Sequence, residues 1–145
     1  MDILSEFSER LSELMFFRGI KSEKLGKDLG IGGSTIRRWI RKDSKINLPN
    51  LLKLADYFKC TMDFFAGRSE GEMKFTPLTP PPFPQALRKS MDESGYTRYK
   101  LDKTTRFKNS YLYKWDHGSQ PDIFSLVELA DIFGVTIDHL VGREK

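Results

Sequence analysis

The sequence predicts an all-α protein made of two similar five-helix domains. Two observations support this fold class. Apolar residues recur at spacings of three and four along most of the chain, which is typical of amphipathic helices, and the second half of the chain repeats the first half. No segment shows a convincing strand pattern. A length of 145 residues suits one ordinary domain or two small ones.

The repeat is visible when the chain is compared with itself at an offset of 76 residues up to about Lys45, and of 75 residues after that point. The offset changes because the second copy lacks one loop residue. The identical residues keep their order, and most are of core or turn types. They include Phe7/Phe83, Leu11/Leu87, Met15/Met91, Gly19/Gly95, Leu25/Leu101, Ser34/Ser110, Trp39/Trp115, Leu51/Leu126, Leu54/Leu129, Ala55/Ala130, Phe58/Phe133, Thr61/Thr136, Asp63/Asp138 and Gly67/Gly142. We therefore predict one domain at residues 1–68 and a second at residues 83–145.

Five of the seven prolines lie between the two copies, in the segment 69–84. Proline fixes φ and removes an N–H donor, so it favours extended chain over helix. We predict a proline-rich linker at residues 69–82. The alternative is a ligand for a groove on another protein, which suits a position between two domain copies less well.

Five helices are predicted in each copy. In the first copy, Gly19 ends the first helix, and Asn47 and Thr61 cap the fourth and fifth. The predicted ranges there are 3–18, 21–29, 34–42, 47–58 and a last turn at 61–67. In the second copy they are 83–94, a helix after the cap Thr97, 109–116, 123–133 and a last turn after the cap Thr136. Trp39 and Trp115 fall on the apolar faces of the third helices, so we assign both to the core.

Both copies contain one motif. The first reads Leu25-Gly26-x-x-Leu29-Gly30-Ile31-x-x-Ser34-Thr35-Ile36-x-x-Trp39 and continues with Leu51-x-x-Leu54-Ala55-x-x-Phe58. The second reads Leu101, Phe107-x-x-Ser110-x-Leu112-x-x-Trp115 and Leu126-x-x-Leu129-Ala130-x-x-Phe133. Both strings resemble the phage-repressor-type (Cro/cI-like) helix-turn-helix family. The resemblance implies two tandem lambda-repressor-like DNA-binding domains.

The resemblance also implies how double-stranded DNA is bound. The third helix of each domain enters the major groove, and the second helix lies across the backbone with its N-terminus near a phosphate. Ser34 and Arg38 are then expected at base edges, since arginine pairs well with guanine. The implied DNA-binding residues are Ser22, Gly33, Ser34, Arg37, Arg38, Arg41 and Lys42 in the first domain, and Arg98, Lys108, Asn109, Ser110, Tyr113, Lys114 and His117 in the second.

Three positions depart from the family pattern, mostly in the second copy. The family usually has alanine after the first buried leucine of the second helix, where this chain has Gly26 and Asp102. The turn glycine is Gly30 in the first copy and Arg106 in the second. The usual Ser or Thr cap of the third helix is replaced by glycine and lysine, respectively. The second helix pair is therefore expected to sit differently or to contribute less to DNA binding.

Other classes of protein fit the sequence poorly. A lone cysteine, Cys60, excludes a disulfide framework and cysteine-based zinc sites. His117 and His139 have no His, Cys or acidic partner at ligand spacing, and no catalytic dyad or triad is apparent. We expect no enzyme, no metal and no cofactor. The apolar runs are too short for a bilayer, so we expect a cytoplasmic protein of a bacterium or phage.

Charge is segregated within the chain. The net charge of the whole chain is +4. Residues 32–45 carry a net charge of +4 and residues 96–114 one of +5, so all other residues together carry −5. Basic helix-turn-helix faces favour a transcriptional regulator, most simply a repressor, on an asymmetric pair of half-sites. The alternative is a protein-interaction module, in which domain 2 mediates a homodimer or binds a partner and only domain 1 reads DNA.

Overall fold

The computed structural model describes residues 2–70 and 73–145 of the chain. Its regular secondary structure in these residues is helical, which confirms the predicted all-α fold class. The ten helices are α1 (Ile3–Arg18), α2 (Ser22–Leu29), α3 (Gly33–Ile40), α4 (Leu48–Phe58), α5 (Met62–Phe65), α6 (Phe83–Ser94), α7 (Arg98–Thr104), α8 (Asn109–Asp116), α9 (Ile123–Phe133) and α10 (Ile137–Val141). Both α3 and α5 end two residues earlier than predicted. Beyond α3, Lys42 takes a positive φ of 64°, which cannot continue the helix.

The helices group into two compact units. The first extends to Lys74 and contains α1–α5, and it also takes in Asp122–Phe124. The second consists of Phe75–Pro121 and Ser125–Lys145 and contains α6–α8, α10 and most of α9. Each unit has five helices in the same order of lengths, with a long first and fourth helix and a short fifth one.

Aromatic rings organise the core of the first unit. Phe7 of α1 is fully buried and makes edge-to-face contacts with Trp39 and Phe65, at centroid distances of 6.0 and 5.8 Å. Such contacts stabilise a core beyond the burial of area alone. Through Phe7, the first helix therefore joins the third and fifth helices.

The second unit has a related core. Trp115 lies 5.4 Å from Phe83 and 5.7 Å from Phe107, measured between ring centroids. Phe107 is fully buried, although it lies in the turn between α7 and α8. Both tryptophans are at most 5% exposed, which confirms their assignment to the core. Cys60 is buried as well.

Part of the proline-rich segment packs on the second unit. The N–H of Leu78 donates to the carbonyl of Arg143 at 2.8 Å, and the ring of Phe75 lies 5.9 Å from the Arg143 guanidinium carbon. Pro81 lies close against Gly142. Residues 75–82 therefore lie against the second unit through these contacts, although none of them is fully buried.

Helix caps fix the starts of several helices. Asn47, Thr61, Thr97 and Thr136 each accept a hydrogen bond from the backbone N–H three residues later, which confirms these four predicted caps. At the other end of α4, the cap is Lys59 with a φ of 55°. A left-handed conformation costs an L-residue about 1–2 kcal/mol, so the backbone is strained at Lys59.

We expect Lys59→Gly to stabilise the protein by about 0.5–1 kcal/mol. Glycine removes the cost of the left-handed conformation, and its greater freedom in the unfolded chain offsets part of that gain. The matched control is Lys53→Gly, in the exposed middle of α4, which should destabilise by about 1 kcal/mol. Urea unfolding at constant m-value measures both. An equal loss of stability in the two variants would show that the backbone is not strained at Lys59.

Candidate nucleic-acid interface

Close packing of α2 against α3 shapes the first unit. The two helices are joined by three residues, of which Gly30 has a φ of 69° and caps α2. A Cβ on Gly26 would lie 2.3 Å from the carbonyl oxygen of Ile31 and 3.2 Å from the backbone nitrogen of Gly33. Neither neighbour is a flexible side chain. Gly26 therefore allows the two backbones to meet more closely than the alanine usual in the family would permit.

Two hydrogen bonds attach this helix pair to the rest of the unit. The buried hydroxyl of Ser8 on α1 donates to the carbonyl of Ile40 at the end of α3. The hydroxyl of Tyr57 on α4 donates to the Asp28 carboxylate on α2 at 2.7 Å, and Lys24 pairs with the same carboxylate at 3.0 Å. The hydrogen bond from Tyr57, followed by the one from Lys24, holds the pKa of Asp28 below its ordinary value.

The outward face of α3 presents the basic residues expected from the sequence. Arg37, Arg38, Arg41 and Lys42 are all exposed, as is Ser34 at the start of the helix. Arg37 forms an ion pair with Glu23 on α2, and Arg41 pairs with Asp43 at 3.1 Å. Within the described residues, Arg38 and Lys42 have no ion-pair partner. Arg38 is therefore an exposed cation of α3 that no carboxylate holds within the described residues.

The N-termini of both helices of this pair lack side-chain caps. The residues before α2 and α3 are Lys21 and Gly32, and neither provides a side-chain acceptor. Uncapped N–H groups and the helix dipole attract phosphate. Ser22 is only 9% exposed, because it lies in a groove between the first three helices. The Ser22 side chain, which the sequence predicts at the DNA interface, is therefore largely covered.

The joint between α7 and α8 is built differently in the second unit. Four residues separate these helices. Thr105, after α7, is extended, with φ −135° and ψ 175°. Its hydroxyl donates to the carbonyl of Leu101 and accepts from the N–H of Phe107 at 3.0 Å. Arg106 stands where the first unit has its turn glycine. This joint therefore avoids the left-handed turn and is one residue longer than the joint between α2 and α3.

The side chain of Asp102, a residue of α7, caps the N-terminus of α8. Its carboxylate accepts a hydrogen bond from the backbone N–H of Asn109 at 2.8 Å, and Lys108 donates to its backbone carbonyl at 2.6 Å. The acid that departs from the family pattern is thus a cap from the preceding helix. A fixed negative charge at this terminus disfavours a phosphate there.

The other sequence-predicted residues of the second unit lie along α8 and at the start of α7. Asn109, Ser110 and Lys114 are exposed. Tyr113 and His117 are also exposed, and their rings stack at 3.9 Å. Arg98 pairs with Asp116 at 3.2 Å, across α7 and α8. The structure therefore gathers all of these residues except Arg98 on or directly after α8, and Arg98 on α7 is joined to that helix by an ion pair.

Sequence reasoning missed the acidic partners of the basic residues. Glu23, Asp102 and Asp116 each bind a group on the neighbouring helix. Glu23 and Arg37 are 14 residues apart, and Arg98 and Asp116 are 18 residues apart. Such separations carry no local signal, since only spacings of three or four identify partners on one helix.

One segment of the chain is similar to a known family. Residues 18–65 match a family model described as helix-turn-helix. Both α2 and α3 lie within the matched segment. No curated protein and no solved structure gives a significant match.

Residues 2–70 and 73–145 contain no helix that is both long enough and apolar enough to cross a membrane. In the same ranges, no group of three or more His, Cys, Asp and Glu side chains is arranged to hold a metal ion.

We expect Gly26→Ala to destabilise the first unit by about 1–3 kcal/mol, because the new methyl group would collide with the Ile31 carbonyl oxygen. The matched control is Gly33→Ala, where the nearest atom to a Cβ would be the flexible tip of Arg37 at 3.3 Å, and atoms of Glu23 would lie at ordinary contact distances of 3.6 and 3.7 Å. That variant should be neutral or up to about 1 kcal/mol more stable. Thermal unfolding followed by circular dichroism compares them. An unchanged stability of Gly26→Ala would mean that α2 and α3 can move apart to accommodate the methyl group.

We expect Tyr57→Phe to lower stability at neutral pH and to have no effect in acid. The pKa of Asp28 is lower in the folded protein, so its stabilising effect is present above its unfolded pKa and is lost as the pH falls through the folded value. The difference from the native protein should therefore begin to shrink near about pH 4, the unfolded pKa, and disappear once the pH is below the folded pKa. Unfolding midpoints from pH 7 to pH 2 measure this. A constant difference over this range would exclude the Asp28 contact as its cause.

Proposed function

We propose that this protein is a sequence-specific, double-stranded-DNA-binding transcriptional repressor that places α3 in the major groove. The observation that carries the proposal is Arg38. It is an exposed cation on the outward face of the helix that corresponds to the reading helix, inside the segment that matches the helix-turn-helix family. Arginine offers two parallel donors that match guanine O6 and N7.

Phosphate contacts would fix the position of α3 on the duplex. The uncapped N-terminus of α2 offers backbone donors to one phosphate, and Arg41 and Lys42 after α3 offer cations to others. Such contacts supply affinity and register but no sequence information. The ion pair between Arg37 and Glu23 is exposed and costs little to break, so Arg37 could exchange its partner for a phosphate.

We propose that the second unit is a second helix-turn-helix domain that meets an adjacent half-site. The internal sequence repeat and the same order of five helices support this assignment. The two reading helices carry different outward residues, so the site would be asymmetric. Asp102 and the longer joint between α7 and α8 suggest a smaller share of the affinity for this unit.

The same observations favour a second candidate role for this unit. An α8 N-terminus occupied by Asp102 and exposed aromatic rings at Tyr99 and Tyr113 suit a protein partner, since tyrosine is enriched in interfaces. In that case only the first unit would read DNA. Either role belongs to a binding protein that acts without a cofactor on DNA in the cytoplasm.

Arg38→Ala tests the proposed function. We expect the affinity for a selected DNA site to fall roughly 10- to 100-fold and discrimination between bases to relax. Lys53→Ala, on the exposed face of α4, is the control and should change the affinity little. The binding site is first selected from random duplexes, and titrations follow at about 50 and 200 mM salt. A contact with six phosphates would lose roughly 1,000-fold in affinity over that range.

Lys114→Ala separates the two roles of the second unit, because Lys114 is the counterpart of Arg38. If Lys114→Ala loses more DNA affinity than Lys53→Ala, the result supports a DNA contact by α8. If its DNA affinity is unchanged, the result supports the protein-partner role. Failure of the native protein to show salt-sensitive, competitor-resistant binding would overturn the proposal as a whole.

A further inference from the structure

The two units differ where the first helix meets the end of the third. In the first unit, the hydroxyl of Ser8 on α1 donates to the carbonyl of Ile40, the last residue of α3. The counterparts in the second copy are Pro84 and Asp116. Proline has no hydroxyl to donate, and the Asp116 carboxylate pairs with Arg98 on α7 at 3.2 Å. The hydrogen bond that joins these helices in the first unit therefore cannot form at this position of the second.

A cavity of about 200 Å³ lies at this place in the second unit. Both Pro84 and Asp116 line it. Three other lining residues, Leu87 and Met91 of α6 and Leu112 of α8, are at most 6% exposed, so apolar side chains form the floor of the cavity. An apolar cavity of about 150 Å³ in another protein holds a benzene molecule. The space is therefore large enough for one branched aliphatic or phenyl side chain.

Charges of both signs surround the mouth of this cavity. Arg98 and Asp116 form their ion pair there. The other two charged lining residues, Arg88 and Asp92, are exposed on α6, and within the described residues neither has an ion-pair partner. They are four residues apart on one helix, so their Cβ atoms are about 5–6 Å from each other on the same face. One cation and one anion are thus available side by side above an apolar floor.

This arrangement selects the chemistry of a ligand. A simple anion at the mouth would be repelled by Asp92, and a simple cation would be repelled by Arg88. A free α-amino acid carries a carboxylate and an ammonium group on one carbon atom, together with a side chain that can point away from both. Its carboxylate would accept from Arg88 and its ammonium group would donate to Asp92, as charge-assisted hydrogen bonds. An apolar side chain would then fill the floor.

We infer that the second unit binds a free α-amino acid with an apolar side chain in this cavity, between α6, the start of α7 and α8. The ligand touches all three helices, so its binding stabilises the second unit by mass action. In the corresponding groove of the first unit, Ser12 and Phe16 stand in place of Arg88 and Asp92 and offer neither charge. The inference goes beyond the proposed function and does not rest on it, because the proposed DNA reader, α3, belongs to the first unit.

Titration of the isotope-labelled full chain with L-leucine and with L-phenylalanine, followed by amide chemical shifts, tests the inference. We expect saturable shift changes in α6–α8 with a Kd of about 0.1–1 mM, as suits a ligand of about ten non-hydrogen atoms. Glycine, which has no side chain to fill the floor, should cause no saturable change up to about 10 mM. The amide signals of α1–α3 are the internal control and should not move.

Each charge of the ligand is tested from both sides. Arg88→Ala and Asp92→Ala should each weaken binding about tenfold or more, since each removes one charge-assisted contact. L-phenylalaninamide lacks the carboxylate and N-acetyl-L-phenylalanine lacks the ammonium group, so each should also bind at least about tenfold more weakly than L-phenylalanine. The matched control is Lys89→Ala, which removes an exposed cation of α6 outside the cavity lining and should bind like the native chain. All three substitutions change exposed side chains, so the helical circular dichroism should be unchanged.

Several outcomes would overturn the inference. They are the absence of a saturable shift with either amino acid, equal binding of glycine, shifts in α1–α3 instead of α6–α8, and native affinity in Arg88→Ala or Asp92→Ala. Equal binding of N-acetyl-L-phenylalanine would show a general carboxylate site and would overturn it as well. None of these outcomes bears on the proposed DNA function, which is measured separately with Arg38→Ala.

Discussion

The contact between α2 and α3 at Gly26 is the constraint on which the candidate interface depends. With no side chain at this position, the carbonyl of Ile31 can approach the α2 backbone, and the short left-handed turn at Gly30 follows from that approach. The position of α3 then decides where Arg38 points. Since neither close neighbour of Gly26 is a flexible side chain, this joint offers little room for adjustment and presents the basic face of α3 in one defined orientation.

The two units show how the same helix order tolerates two different joints. Where the first unit uses glycines and a three-residue turn, the second uses a hydroxyl, a buried Phe107 and a carboxylate cap from Asp102. Each solution satisfies the backbone donors and fills the space between helices. They differ electrostatically, because the first leaves helix N-termini open to an anion and the second places an acid at one. Similar architecture therefore does not imply equal affinity for DNA.

Acidic side chains neutralise part of the basic surface that the charge distribution of the sequence indicates. Glu23 pairs with Arg37 and Asp116 with Arg98, so two of the expected contacts begin from an ion pair. Exposed pairs of this type contribute little to stability, but they hold the long side chains in place before DNA arrives.

The sequence by itself determined the all-α class, the helices of both copies, four of their caps and the burial of both tryptophans. These features follow from local spacing and from single residues such as Asn47 and Thr97, whose side chains bond to backbone three residues away. Only the tertiary structure decided that, within the part of the chain it describes, Arg37 has an ion-pair partner and Arg38 has none, and that Asp102 caps α8. Those outcomes depend on side chains that meet across two helices, and the distance along the chain between such partners leaves no periodic trace in the sequence.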